Sequence, residues 1–397
     1  MKARHFFYPL LFLFSVAMFA SCSSYVPKEG DIIEDSAFRS VDLRIIEKIK
    51  GTVMSLGDLM ETYEIIKLEN RDEALVKTYP FGIFVTDNYI LLNPDAIFPI
   101  KLFTRKGQYV ADIGGIGQGP GEYKTIHFCM IAEKQKRIYL GPGRANKILT
   151  YDLKGNYLSD EAIHFKEIVH KPCIWMDHDK KHVTVVGLPF SENECWVQNR
   201  EGDIVHRISA NHYGLIGDYS NGLLACRNVD AISFSIFEDP MLRTRPDTLY
   251  HYDAVKNIIT PRFTIDHVVS ENQSACTVLY ETSRSYWAQV TLYPNDLSSS
   301  VSSVRLPAFN VCVSKKDGNV WRIDRFTDPL LGLSYLFLAM KNGYVCISYD
   351  PLELMDALDK VLTQTDLEPD VRKRATDLRN SLHENDNDIL IIGKLKQ

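Results

Sequence analysis

One phrase recurs in this sequence, and it limits the fold more than any other feature. An apolar run leads into a polar turn carrying glycine, and a second apolar run follows: residues 101–110 around Gly107, 148–158 around Gly155 and 195–205 around Gly202. The first two glycines lie 48 residues apart and the second pair 47, close to the roughly 40–50 residues that a four-stranded propeller blade occupies. Within one period, residues 126–131, 137–140, 147–152 and 157–163 are short, rich in β-branched and aromatic side chains, and separated by Gly, Pro, Asn and Lys. Such segments read as strands. The stretch from 63 to 350 then holds about six blades, with a defensible range of about five to seven.

The pattern loosens further along. Residues 247–252 and 262–266 read as the outer half of a later blade, blade limits are not delimited between about 270 and 350, and the serines of 298–303 read as a loop. Pro351 opens a helical stretch through Leu362. Val371, Ala375, Leu378 and Leu382 then fall on one face of a second helix, a face suited to covering a partner in a surface complex. The apolar run Ile389, Leu390, Ile391, Ile392 is strand-like. Because a ring that does not close leaves unpaired edges, this run or the early segment 63–68 is expected to complete a blade.

The amino terminus points to export. Lys2 and Arg4 precede an apolar run from Phe6 to Ala20, too short to span a bilayer comfortably and of signal-peptide form. It ends in Phe19, Ala20, Ser21, Cys22, which resembles the bacterial lipobox, with Phe19 in place of the usual Leu; the alternative is ordinary secretion with cleavage near Ser21. The resemblance implies that Cys22 is the lipid attachment residue, and two or more acyl chains hold a protein stably without a spanning helix. The expected organisation is a signal peptide over 1–21, a lipidated terminus and tether over 22–50, and a β-propeller domain over 51–397 that includes the C-terminal helices and closing strand.

The formal net charge of −6 becomes −8 once Lys2 and Arg4 are removed with the signal, and no basic stripe interleaved with aromatics is present. Nucleic acid is therefore not an expected partner. Seven cysteines follow Cys22, most of them inside apolar runs such as those around Cys129 and Cys346. They read as small buried hydrophobes. No Cys-x-x-Cys pair occurs, which removes thioredoxin-like and zinc-ribbon readings.

The run Ile113 to Tyr123, with its Gly-Gln-Gly-Pro-Gly-Glu-Tyr segment over 117–123, resembles the six-bladed β-propeller lipoproteins of gut-dwelling Gram-negative bacteria. Residues 63–69, 247–250 and 261–263 resemble the opening strand and a later blade of the same group. The resemblance implies an all-β, six-bladed, NHL-like β-propeller with a short C-terminal helical appendage. It implies no activity, since that group is defined by architecture and a propeller hosts many unrelated functions.

Chemistry-bearing motifs are few. The glycine-rich segment lacks the Gly-Lys-Ser/Thr ending of a phosphate loop and Pro120 interrupts it, so it reads as an inter-blade connection with Glu122 and Tyr123 tied to neighbours. Asp177, His178, Asp179, Lys180, Lys181 and His182 contain metal-ligand types but fall between strands and read as a solvated turn; no metal ligand is assigned. Residues 314–321 resemble an aspartate box with its Asp displaced by one, which is a hairpin element. Gly-x-Ser-x-Gly and His-Glu-x-x-His are absent. His164, His206 and His251 read as structural side chains, each able to act as a base if set in a polar funnel. No catalytic or ligand-binding residue is named and no cofactor is expected. The leading expectation is a non-enzymatic binding or scaffold module, held to the outer membrane or in the periplasm by its lipid, for a glycan, peptide or partner protein. The alternative is an envelope lyase or hydrolase acting on carbohydrate or peptide through loops at the propeller channel.

Overall fold

The repeat glycines mark one structural event. Gly107, Gly155 and Gly202 have φ of 81°, 84° and 90°, a region that side chains disfavour, and each turns the chain from one strand to the next within a sheet. Gly155 links Arg144–Asp152 to Ile163–Met176, and Gly202 links Asn193–Gln198 to Ile204–Ser209. The turns are fastened by their own polar side chains. The Asp152 carboxylate accepts from the Lys154 and Asn156 backbone N–H groups at 2.8 and 2.9 Å, and Asn199 and Asp203 pair in the same way. Each glycine also lies against the backbone of a strand earlier in the chain. A Cβ on Gly107 would collide with the Lys67 carbonyl, one on Gly155 with the Asp112 carbonyl, and one on Gly202 would lie 3.0 Å from the His164 carbonyl. The 47–48-residue period is thus the distance between successive contacts of this kind.

The computed structural model describes residues 27–33, 36–94, 98–177, 181–190, 192–210, 222–237, 246–270, 273–294 and 306–397. The chain is nearly all β, with antiparallel sheets in a propeller-like arrangement and a few short helices. One four-stranded sheet runs in chain order through Thr78–Val85, Tyr89–Pro94, Ile100–Thr104 and Tyr109–Ile113. The next begins with Ile126–Ala132, Arg137–Pro142 and Arg144–Asp152, then reaches Ile163–Met176, whose first part pairs with Arg144–Asp152 and whose last part pairs with Val183–Leu188. That long strand starts at 163 instead of the expected 157, because residues 159–161 form a 3₁₀ turn and Tyr157 makes only a single bridge to Tyr151. Two further sheets are built on Gly222–Cys226 to Ile258–Asp266 and on Gln273–Glu281 to Val320–Thr327.

The last sheet joins the two ends of the fold. Ala339–Lys341, Tyr344–Tyr349 and Ile389–Lys394 come from the carboxyl end, and Glu64–Lys67 from the amino end forms the fourth strand. Ile389 pairs with Lys67 and Ile392 with Glu64. Both segments expected to complete a blade do so, against each other.

Residues 27–50, read from sequence as part of a tether, are stitched to the sheets over much of their length. Lys28–Glu29 pairs in parallel with His206 and Arg207, Asp31–Ile32 with Ile258 and Ile259, and Arg39–Asp42 with Phe263 to Asp266. Thr52–Ser55 continues the belt along Ile323 to Thr327. Helices α1 (Leu43–Ile46) and α2 (Leu56–Leu59) are single turns that follow Arg39–Asp42 and Thr52–Ser55, capped by Asp42 and Ser55. Asp266 and Arg322, among others, lie beside the belt: Ser40 donates to the Asp266 carboxylate, and the Thr52 hydroxyl to the Arg322 carbonyl at 3.0 Å.

Helix α3 (Pro351–Leu362) starts at a capping Asp350 and α4 (Pro369–Asn380) packs on it. The apolar face of the second helix is taken up within the chain. Ala375 and Leu382 are buried in one cluster with Leu331, Leu354, Leu358 and Val361, so this face does not await a partner. Elsewhere the core lies between neighbouring sheets, as where the Phe263 and Tyr286 rings stack at 5.4 Å.

Two outcomes test this account. Gly155→Ala is expected to cost about 1–3 kcal/mol for the left-handed conformation, with the Asp112 contact adding to it, read as a lower urea midpoint at unchanged slope. Deleting residues 388–397 is expected to lower Tm by more than about 10 °C, since the loss of several kcal/mol shifts Tm by a few degrees each; an unchanged Tm would show that the ring holds without this strand.

Candidate functional site

The inner strands of the sheets surround a cavity of about 500 Å³, within the range of small-molecule sites. Gly82, residues 126–128, residues 223–225, Val278 and Lys341 place five inner strands on its wall. Tyr79, Phe98, Phe128 and Phe237 give it ring surfaces, and Asn93, Thr125, His127, Lys124 and Lys341 give it polar atoms.

The glycine-rich segment shapes one side of this cavity. Gly114 and Gly121 have φ of 69° and 75°, and Gly115–Ile116 runs parallel to Glu122–Tyr123. The Glu122 carboxylate accepts from the Gly119 N–H at 2.8 Å. Tyr123 is buried, donates to the Ile113 carbonyl at 2.6 Å and accepts from the Ile100 N–H at 2.8 Å, while the Tyr151 hydroxyl donates to the Gly121 carbonyl at 2.7 Å. The segment is a connection tied down by Glu122 and Tyr123, as the sequence suggested. It delivers Ile116, Tyr123, Lys124 and Thr125 to the cavity.

His127 stands on the innermost strand Ile126–Ala132. Burial, then the Lys171 and Lys341 charges, lower its pKa to about 3, opposed by a hydrogen bond to the Leu223 backbone. Its imidazole is neutral at any physiological pH. The thiols of Cys129, Cys173, Cys226 and Cys346 are each pushed up by burial and eased down by Lys341, which sets that lysine's charge near the inner face of several sheets. Cys129, Cys173, Cys195, Cys226, Cys312 and Cys346 are buried free thiols.

The other end of the inner strands is closed by Asn228. Its amide donates to the Glu281 and Met340 carbonyls at 2.9 and 3.1 Å and its oxygen accepts from the Gly343 N–H at 2.9 Å, joining three sheets. Beyond it lie two clefts of about 780 and 830 Å³, and His251 lines both. Glu281 is fully buried and bonds His251 Nε2 and the Lys315 ammonium. Burial raises its carboxyl pKa, but the His251 hydrogen bond and the charges of His251 and Lys315 outweigh burial and hold it below the ordinary carboxylate range. A fixed carboxylate that orients a partly buried imidazole at the wall of a cleft can support proton transfer.

The other residues singled out from sequence fall as follows. His206 Nε2 meets the Ala254 carbonyl at 2.7 Å, and the His164 carbonyl accepts from the Gln198 amide. Asp177 and His182 close a turn, the Asp177 N–H donating to the His182 carbonyl at 3.1 Å, while 178–180 lie outside the described residues. So do Cys22 and the serines 298–303. Among the described residues no three His, Cys, Asp or Glu side chains converge as metal ligands, and no helix is long and apolar enough to cross a membrane. Residues 314–321 form the expected hairpin turn, with Asn319 bonded to Asp317 at 2.9 Å and Gly318 at φ 74°. His127 and Lys341 carried no sequence signal, because an isolated polar residue on a short strand looks the same whether it faces solvent or an axial cavity.

The chain belongs to the domain family of unknown function DUF4934, whose model matches residues 42–394. No curated protein matches it. Among solved structures it is similar to a protein of Bacteroides fragilis described as exported, with TM-score 0.58 and 16% identity over 90% of this chain and 99% of that one. A member of the DUF4221 family from Bacteroides vulgatus gives TM-score 0.43 and 10% identity over 85% and 97% of the two chains. A GH43 protein from Bacillus licheniformis gives 0.33 and 14% over 65% and 56%. The first likeness concerns the fold, and the other two are too distant to bear on it.

The state of His127 gives a pH test. With a folded pKa near 3 against about 6.5 unfolded, the unfolded chain binds the extra proton between these values. The stability from keeping His127 neutral is fully present above about pH 6.5 and is lost as pH falls toward 3. Tm of His127→Gln is expected to fall less than that of the wild type between pH 6.5 and 4. Parallel pH profiles would show that His127 carries none of the acid sensitivity.

Proposed function

We propose that this protein is a lipid-anchored, six-bladed propeller of the cell envelope whose central cavity binds a small organic ligand, such as a glycan or peptide fragment. The blade count follows if the long strand Ile163–Met176 is divided at its irregularity between His170 and Cys173, giving each half its own four strands. The anchor rests on the lipobox-like Cys22, and the envelope location accords with the exported description of the Bacteroides fragilis protein. The cavity carries the binding reading: ring surfaces from Tyr79, Phe98 and Phe237 stand beside convergent polar groups at His127, Thr125 and Lys341, the composition expected of a ligand site.

A thermal-shift panel of glycans and peptides tests it, since a ligand at about 100 times its Kd stabilises by roughly 2.7 kcal/mol. A hit weakened by Tyr79→Ala or Phe237→Ala supports the cavity; a hit that both variants leave unchanged places binding elsewhere. Cys22→Ser is expected to move the protein from the membrane to the soluble fraction, and retention in the membrane would overturn the anchor.

The His251–Glu281 pair favours a second reading, hydrolysis at the opposite face with His251 as general base. Turnover of any panel member that falls at least 100-fold in His251→Asn, in line with the contribution of a general base, would establish it in place of simple binding.

A further inference from the structure

The central cavity holds a positive charge that no described residue neutralises. Lys124 and Lys341 line it and, among the described residues, no carboxylate does, although the chain as a whole has a formal charge of −6. Lys124 is exposed and Lys341 is half-buried. Other partly sheltered lysines have partners: Lys101 meets Asp112 at 2.7 Å and Lys315 meets Glu281. The Lys341 ammonium has no hydrogen bond or ion pair among the described residues. Withdrawing a cation from water without a counter-charge is costly, so a sheltered, unpaired lysine is a place where an anion gains more than it would at the surface.

Lys341 is also held in place. It ends the strand Ala339–Lys341, and the turn behind it, with Asn342 and Gly343 at φ 52° and 83°, is pinned by Asn228 through the Gly343 N–H. Asn342 Oδ1 in turn accepts from the Arg227 N–H at 3.1 Å. The backbone under the ammonium is therefore fixed by the neighbouring segment Arg227–Asn228. The neutral imidazole of His127 shares the cavity and adds hydrogen-bonding capacity without adding charge.

Building on the binding reading above, we infer that the ligand of the central cavity is a small organic carboxylate, its carboxylate group meeting the Lys341 ammonium and its body lying against Phe98 and Phe237. About 500 Å³ admits a mono- or disaccharide acid, or the last residues of a peptide with a free carboxyl terminus. These two sources share the carboxylate.

The experiment is calorimetric titration of the purified protein with four probes: a uronic-acid disaccharide, its neutral counterpart, a tripeptide with a free carboxyl terminus and its amide. Each is run against the wild type, Lys341→Met and Lys341→Arg. One acid is expected to bind at least tenfold more tightly than its neutral partner. Lys341→Met is expected to remove that preference, Lys341→Arg to keep most of it, and added salt to weaken the acid alone; the preferred acid identifies the source. Equal binding of acid and neutral probes, or a preference that survives Lys341→Met in protein with wild-type Tm, overturns the carboxylate assignment and leaves the binding reading standing. Absence of binding by all four probes to the wild type overturns both. Should Lys341→Met not fold, loss of the preference in high salt with Lys341→Arg behaving as wild type is the deciding result.

Discussion

The structure depends on the pairing of Glu64–Lys67 with Ile389–Lys394. Without Glu64–Lys67 the strand Ile389–Lys394 would leave its ladder groups open at the edge of the last sheet, and pairing strands from both ends of the chain satisfies those groups and ties the ends of the fold together. The join is reinforced on both sides. The Glu61 N–H donates to the Lys394 carbonyl at 2.7 Å, the Lys396 N–H to the Leu59 carbonyl at 2.9 Å, and Asn387 donates to the Glu69 and Ala74 carbonyls at 3.1 and 2.7 Å. Pairing of segments more than 300 residues apart is costly in loop entropy, but that cost grows only slowly with length, whereas each ladder bond and buried Ile side chain counts in full. The same sheet carries Lys341 on its innermost strand, so closure also positions the charge in the cavity.

The N-terminal belt answers a second edge problem. Where the outermost strand of a sheet faces solvent, its free N–H and C=O groups invite pairing with another chain. Here Lys28–Glu29, Asp31–Ile32, Arg39–Asp42 and Thr52–Ser55 occupy the outer edges of successive sheets in parallel. Polar side chains secure the belt: the Glu29 carboxylate accepts from the Ser209 N–H and hydroxyl at 2.6 and 2.9 Å. A segment that looked like a linker by composition is thus part of the scaffold, because edge pairing needs backbone groups more than apolar side chains.

The propeller-like arrangement separates stability from recognition. Apolar side chains pack between sheets, as in the cluster around Tyr139, Trp175 and Trp196, and the inner strands are free to present polar groups to the axis. Asn228 closes one end by bonding three sheets, and the opposite end opens into the cavity that holds His127 and Lys341. Loss of Asn228 would leave buried carbonyls and an N–H group without partners, which ordinarily costs about 1–3 kcal/mol for each group.

The sequence alone determined what is written in local chemistry. The period set by Gly107, Gly155 and Gly202 was legible because a turn with positive φ against a neighbouring backbone admits only glycine, and Gly117 to Tyr123 was legible as a connection because its residues bond one another. The helices at 351–362 and near 371–382, and the strand at 389–392, were legible from their apolar spacing. Tertiary structure decided the rest. It joined Glu64–Lys67 to Ile389–Lys394, laid residues 28–55 along the sheet edges, and turned the face of Ala375 and Leu382 inward. It also brought Lys341, His127 and Phe237 from three distant strands to one cavity. Nothing local marks such residues, because their role depends on which way a strand faces the axis, and only the closed ring fixes that.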